Sequence, residues 1–271
     1  MRPVGRSGAG FFLLLILVLW RAVPTLAAGC SPPVAAVPRL APAAFQPAAV
    51  APGTADLTFL GHASFLLQSP GGVSIVTDYN GYIKPDFIPD IVTMNHAHPT
   101  HYTDFPDPGI KLVLRGWNTG GGIPHYNVSF GDVHIRNVST NIRDYDDGTE
   151  FGGNSIFVFD IGGLCIAHLS HPHHTLTPQH LAELGEIDVL IAPVDGVYTL
   201  GLGDMLTVID QIKAPLTIPM HYFTPRVLDR FLAASAGRYP VMRVEDHRVT
   251  LSRGMLPKVP TILVVPPITD G

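Results

Sequence analysis

Three short apolar runs in this chain end in histidine. They read "DIVTMNHAHPTH" over 90–101, "LCIAHLSHPHH" over 164–174 and "PLTIPMHY" over 215–222. A short apolar run bounded by turn residues has the pattern of a buried strand. Loops that follow strand ends are where layered folds gather functional side chains. A fold that brings these three ends to one edge converges six imidazoles, His96, His98, His101, His168, His171 and His221. Neutral imidazole suits Zn, Fe, Ni or Mn ions, and three histidines with one open position form a known catalytic zinc arrangement. A lone His-x-His at a strand end is commonly just solvated. Three such ends in one chain, holding eight of its thirteen histidines, point to metal.

The rest of the chain is organised around these runs. Arg2 and Arg6 precede "FFLLLILVLW", and small residues follow up to Cys30. This is the pattern of a secretory signal over 1–29, too short for a comfortable membrane span. "LAAGC" also has the look of a lipidation site at Cys30, which would tether the protein to a membrane. The expected location is outside the cytoplasm, periplasmic or secreted, with lipid anchoring as an open alternative. Residues 30–53 are rich in Pro and Ala and read as a linker. Cys165 lies in "GGLCIAHL" and reads as a lone buried thiol. The net charge of -5, with no basic run after the N-terminus, gives nucleic-acid binding no support.

From Thr54 to Gly271 the pattern is that of one domain. "DLTFLGHASFLLQS", "VSIVTDYN", "IKLVLRG", "VSFGDVHIRNV" and "NSIFVFDIGG" alternate or run apolar between Gly, Pro and Asp turns. The second half alternates strand and helix. "LTPQHLAELG" carries a Thr cap, an early Pro and a terminal Gly, and "GDMLTVIDQIK" and "PRVLDRFLAASAG" follow as helices. Strands followed by βαβα predict an α/β fold of sheets covered by helices.

With these motifs in view, the chain resembles the metallo-β-lactamase fold superfamily. Within it, the resemblance is to ascorbate-6-phosphate lactonase-like and N-acyl-phosphatidylethanolamine phospholipase D-like metal-dependent hydrolases. "TFLGHASFLLQS…VSIVTD" is similar to their opening hairpin, "HAHPTH" to their His-x-His-x-Asp-His loop, and "IAHLSH" and "IPMHYF" to their later ligand segments. The resemblance implies an αββα sandwich with metals at one edge. It implies His96, His98 and His168 around a first ion, and His101 and His221 at a second. Read from the residues themselves, Asp78 is either a hydrogen-bond partner behind a metal-bound imidazole or a strand-end turn residue, and His174, Asp195 and Tyr198, near the metal segments in sequence, are candidates for the second layer or the pocket.

Two positions depart from the family pattern. Thr100 stands where the loop aspartate belongs, and His171 stands where a carboxylate bridges the ions. Two divalent ions repel strongly at low dielectric, so an all-imidazole site holds a second ion poorly. His101, His171 and His221 are then a candidate all-histidine set, with Asp104 or Asp195 as candidate carboxylates. Thr100 can hydrogen-bond a reacting water but cannot act as its base at neutral pH. The expected activity is hydrolysis of an ester, lactone, amide or phosphodiester in a small molecule by a metal-activated water. The alternative is a metal-binding member of the fold that is catalytically impaired by the loss of both carboxylates. Loops 115–127 and 143–154, with Arg115, Trp117 and Tyr126, are expected at the pocket border. The sequence gives no indication of oligomeric state.

Overall fold

The computed structural model describes residues 50–268, apart from 97, 145 and 147. The expected signal segment, the Cys30 site and most of the linker lie outside the described residues. Two sheets face each other. In the first, β1 (Thr54–Gly61) pairs antiparallel with β2 (Ser64–Gln68). Next come β3 (Ser74–Val76), β4 (Ile91–Met94) and β5 (Leu112–Arg115), the last three mutually parallel. In the second, β6 (Asn127–Phe130), β7 (Val133–Arg143), β8 (Thr149–Ile161) and β9 (Leu164–His168) form an antiparallel meander. It continues through parallel β10 (Val189–Pro193) and β11 (Leu216–Met220).

Among the described residues the three α-helices are α1 (Pro178–Leu184), α2 (Leu202–Ile212) and α3 (Pro225–Ala234). Their local chemistry is the expected one at α1. The Thr177 side chain accepts from the His180 N–H, and the chain leaves the helix at Gly185 with φ of 64°. Three C-terminal strands were not anticipated from the sequence: β12 (Val241–Arg243), β13 (Arg248–Ser252) and β14 (Thr261–Val264). β13 closes the first sheet against β1, while β14 inserts between β11 and β12 of the second.

The core sits between the sheets, where alternate residues of both meet. Phe59, Phe65, Ile75, Phe157, Phe159, Ile166, Ile191 and Ile218 are all buried there. The other face of β8 to β11 packs against the helices through Ile156, Leu190, Met205, Val208 and Phe231. Strands β10 and β11 are therefore buried on both faces, which is why they read as continuous apolar runs. Among the described residues, the α-helices cover the eight-stranded sheet only. Across the six-stranded sheet, the segment between β3 and β5 supplies Tyr79, Ile83 and Ile110 instead. Pro85, Pro89, Pro106 and Pro108 in that stretch explain why it forms no helix there.

Two details anchor the strand geometry. The β8–β9 turn is Gly162–Gly163, both at positive φ, and a side chain at 162 would meet the Thr54 carbonyl oxygen at 2.2 Å. Cys165, in β9, is disulfide-bonded, which corrects its reading as a lone thiol; the chain's other cysteine, Cys30, lies outside the described residues.

Phe159 is fully buried at mid-sheet. Phe159→Ala should lower the unfolding free energy by about 3–5 kcal/mol in urea titration, with metal content per folded molecule unchanged.

Candidate metal centre

The strand ends do converge. Strands β3, β4, β9, β10 and β11 deliver Asp78, the 95–101 loop, Ser170–His171, Asp195 and His221 to one edge, and the β1–β2 turn adds His62. The backbone there is unusual. Among described non-glycine residues only five have positive φ, and four of them are His62, Asp78, Ser170 and His221. Such conformations cost of order 1–3 kcal/mol each and persist only where surrounding contacts hold them. Here each one turns the chain sharply as it leaves a strand, aiming a polar side chain into the edge.

His98, His101, His171 and His221 each offer a ring nitrogen, and these four atoms lie within 4.8 Å of one another. Carboxylates fix two of the rings. Asp78 Oδ2 lies 2.6 Å from His101 Nδ1. Asp195 Oδ2 lies 3.0 Å from His221 Nδ1, an oblique approach outside good hydrogen-bond geometry. An ionised carboxylate only accepts, so both Nδ1 atoms carry the proton and both Nε2 atoms present bare lone pairs. These two Nε2 atoms face each other at 3.2 Å. Two facing lone pairs repel unless a cation sits between them. A tetrahedral ion with bonds of about 2.0–2.1 Å would set its ligand nitrogens roughly 3.3 Å apart. The residues fit a metal ion.

Threonine at 100 does more than fill a lost position. Its Oγ1 is 3.0 Å from His98 Nδ1 and 3.1 Å from His62 Nε2. One hydroxyl has one proton, so it accepts from one ring while donating to the other. With His98 Nδ1–H as donor, His98 also turns a bare Nε2 toward the group.

His171 is different. The Arg143 backbone N–H donates to His173 Nδ1 at 2.6 Å, so the neutral His173 ring carries its proton on Nε2. That Nε2–H donates to His171 Nδ1 at 2.8 Å, which leaves the His171 proton on its own Nε2. This Nε2 is buried and has no hydrogen-bond partner.

Burial and neighbouring imidazoles keep the rings neutral. Burial, then His101 and His221, lowers His98 to about 4. Burial, then His221, lowers His62 to about 3, and burial with Arg143 lowers His173 to about 4. His171 and His221 are also pushed down by burial. Asp78 is fully buried, which would raise its carboxyl, but His101, His168 and hydrogen bonds hold it at about 2. Asn95 Nδ2 donates to its Oδ1 at 3.0 Å, and Ser170 Oγ lies 2.8 Å from both oxygens. Asp195 is opposed by burial in the same way and lies below the usual range, because His221, the Thr199 hydroxyl and three backbone N–H groups bind it.

The structure does not bring His96 or His168 to this group. His96 stacks on Trp117, with centroids 5.4 Å apart, and its Nδ1 lies 3.1 Å from Glu150. His168 is buried and spends Nε2 on the Ala63 carbonyl at 2.9 Å. Asp104 and His174 are exposed, and His173 rather than His174 supports the centre. Asp195 reaches an imidazole from behind. Tyr198 stands over His98 at 6.4 Å and is largely exposed at the rim with Phe223. At the pocket border, Arg143 supports His173 and Trp117 holds His96, whereas Tyr126 donates to the Arg115 carbonyl. Sequence reasoning missed Asn95, Ser170 and Asn154. Asn154 accepts from the His171 N–H at 3.1 Å while donating to Thr140 and Leu169.

This geometry has counterparts. Residues 56–221 match the model of the beta-lactamase superfamily domain. A UPF0173 metal-dependent hydrolase of Methanoculleus marisnigri is 30% identical over 186 residues, spanning 62% of this chain and 81% of that protein. One from Carboxydothermus hydrogenoformans is 25% identical, spanning 68% and 89%. A crystal structure from Thermotoga maritima, described as a candidate Zn-dependent hydrolase of the metallo-beta-lactamase superfamily, superposes with a TM-score of 0.57. It is 31% identical, over 78% of this chain and 98% of that one. The chain belongs to the metallo-β-lactamase superfamily, among relatives named metal-dependent hydrolases.

Asp78→Asn keeps the shape but leaves His101 without its charged anchor. It should weaken metal binding by about 10–100-fold in chelator competition, and unchanged affinity would show that His101 needs no anchor. The depressed histidines carry a pH signature too. In the unfolded chain they take up protons near 6.5, but in the folded chain only near 3 to 4. The unfolding free energy of metal-stripped protein should therefore be full above pH 6.5 and fall steadily toward pH 4. A flat profile across that window would contradict the assignment.

Proposed function

We propose that this protein is an exported metal-dependent hydrolase with a mononuclear centre held by His98, His101 and His221. A divalent ion in that position, zinc being the natural fit for three imidazoles, lowers the pKa of water toward neutrality and polarises the bond to be cleaved. The residues do the rest. Asp78 and Asp195 hold His101 and His221 with Nε2 forward. Thr100 Oγ1 holds His98. His171 Nε2–H is a fixed donor aimed at the centre, placed to bind negative charge developing on a substrate oxygen. The bond would be that of an ester, lactone, amide or phosphodiester in a small molecule.

The observation that carries this reading is the Arg143–His173–His171 relay. It makes His171 a donor rather than a ligand, and three ligands leave a coordination position for substrate. The second reading has its own support in the proximity of all four rings. Four imidazoles around one ion would close its coordination and give a metal-binding protein without turnover. Export rests on the basic, apolar and small-residue order of 1–29; the disulfide at Cys165 leaves the sulfur of the chain's only other cysteine, Cys30, no place for a lipid, which counts against the anchored variant.

Elemental analysis of the purified protein should give about one equivalent of metal, together with turnover on an ester and phosphodiester panel. His171→Ala should keep the metal and lower kcat by about 10²–10³-fold. Loss of metal in that variant, or absence of turnover until Thr100→Asp and His171→Asp restore carboxylates, would favour the closed, inactive centre.

A further inference from the structure

A cavity of about 370 Å³ adjoins the metal centre. It shares a wall with it: His62 and Phe223 line the cavity, and their rings lie 4.2 Å and 5.4 Å from the His221 ring. The remaining walls are largely apolar, with Leu228, Val264, Pro266 and Pro267 contributing. One cation faces into it, Arg243, at the end of the exposed edge strand β12. Among the described residues Arg243 has no ion pair, whereas Arg238, Arg248 and Arg253 each have an aspartate. A concave, mostly apolar space with one convergent polar group is the usual form of a small-molecule site. A guanidinium matches the two oxygens of a carboxylate in the same plane.

We propose that this cavity takes the non-reacting part of the substrate, and that this part is an apolar chain ending in an anion. The inference rests on the hydrolase reading, which puts the scissile bond at the imidazole group. The shared wall of His62 and Phe223 then places the adjoining chain along Leu228 and the prolines, with its charged end at Arg243. The substrate class is an acyl or alkyl ester, amide or lactone carrying a terminal carboxylate.

Calorimetry on metal-stripped protein tests this without turnover and without competition from a metal for the carboxylate. Octanoate should bind at least tenfold more tightly than butyrate and than octyltrimethylammonium. Arg243→Ala should abolish the preference for the anion, and Thr224→Trp, an exposed position on the cavity wall, should weaken octanoate tenfold or more. Octanoate binding that ignores chain length, or that survives Arg243→Ala unchanged, would overturn the assignment. Turnover of acetate esters by metal-loaded protein without octanoate binding would sink the cavity alone. Octanoate binding without any turnover would support the cavity and sink the hydrolase reading.

Discussion

The buried carboxylate of Asp78 is the hinge of this structure. It is fully buried, yet His101 and Asn95 from the loop after β4 and Ser170 from the end of β9 all bind it. An unpaired charge at that depth would be very costly. The carboxylate therefore demands its partners, and the partners tie the sheets together. Asn95 turns its other end to the Ser155 N–H of the facing sheet at 2.8 Å. Ser170 leads directly into His171. The centre and the sandwich are joined through one charge.

Asp195 repeats the device on the other side with different chemistry. Three successive backbone N–H groups wrap its Oδ1, and the Thr199 hydroxyl takes its Oδ2. Held that way, it meets His221 from behind. Positions 100 and 171 lack the family's carboxylates, yet the centre is not without negative charge. Both Asp78 and Asp195 lie one layer out, where they act on imidazole protons.

Much of this was legible in the chain. The three histidine-ended runs, the strand pattern and the helix caps at Thr177 and Gly185 marked the sandwich and its edge. What local pattern could not supply was the choice among histidines. His96 and His98 are two residues apart, and which one turns inward is decided by Trp117 and Glu150, distant in sequence. His168 looked like a ligand because it ends a strand, but the Ala63 carbonyl across the sandwich claims it. The tautomer of His171 depends on a backbone N–H from Arg143 through His173, a relay that no motif encodes. The C-terminal strands were missed because β12 to β14 are short, β12 is exposed throughout and β13 buries only Leu251. The segment between β3 and β5 covers its sheet as loops, where the resemblance implied helices.

The left-handed backbone at His62, Asp78, Ser170 and His221 has a thermodynamic consequence. Four such positions store of order 4–12 kcal/mol, comparable to the whole net stability of a typical domain. That energy is confined to one edge, while the sheets behind it are closely packed. Relaxation of the edge alone would release the strain without unfolding the sandwich. The centre is therefore the region expected to open first as the protein is destabilised, and a ligand bridging its imidazoles would act as the clasp that keeps it shut.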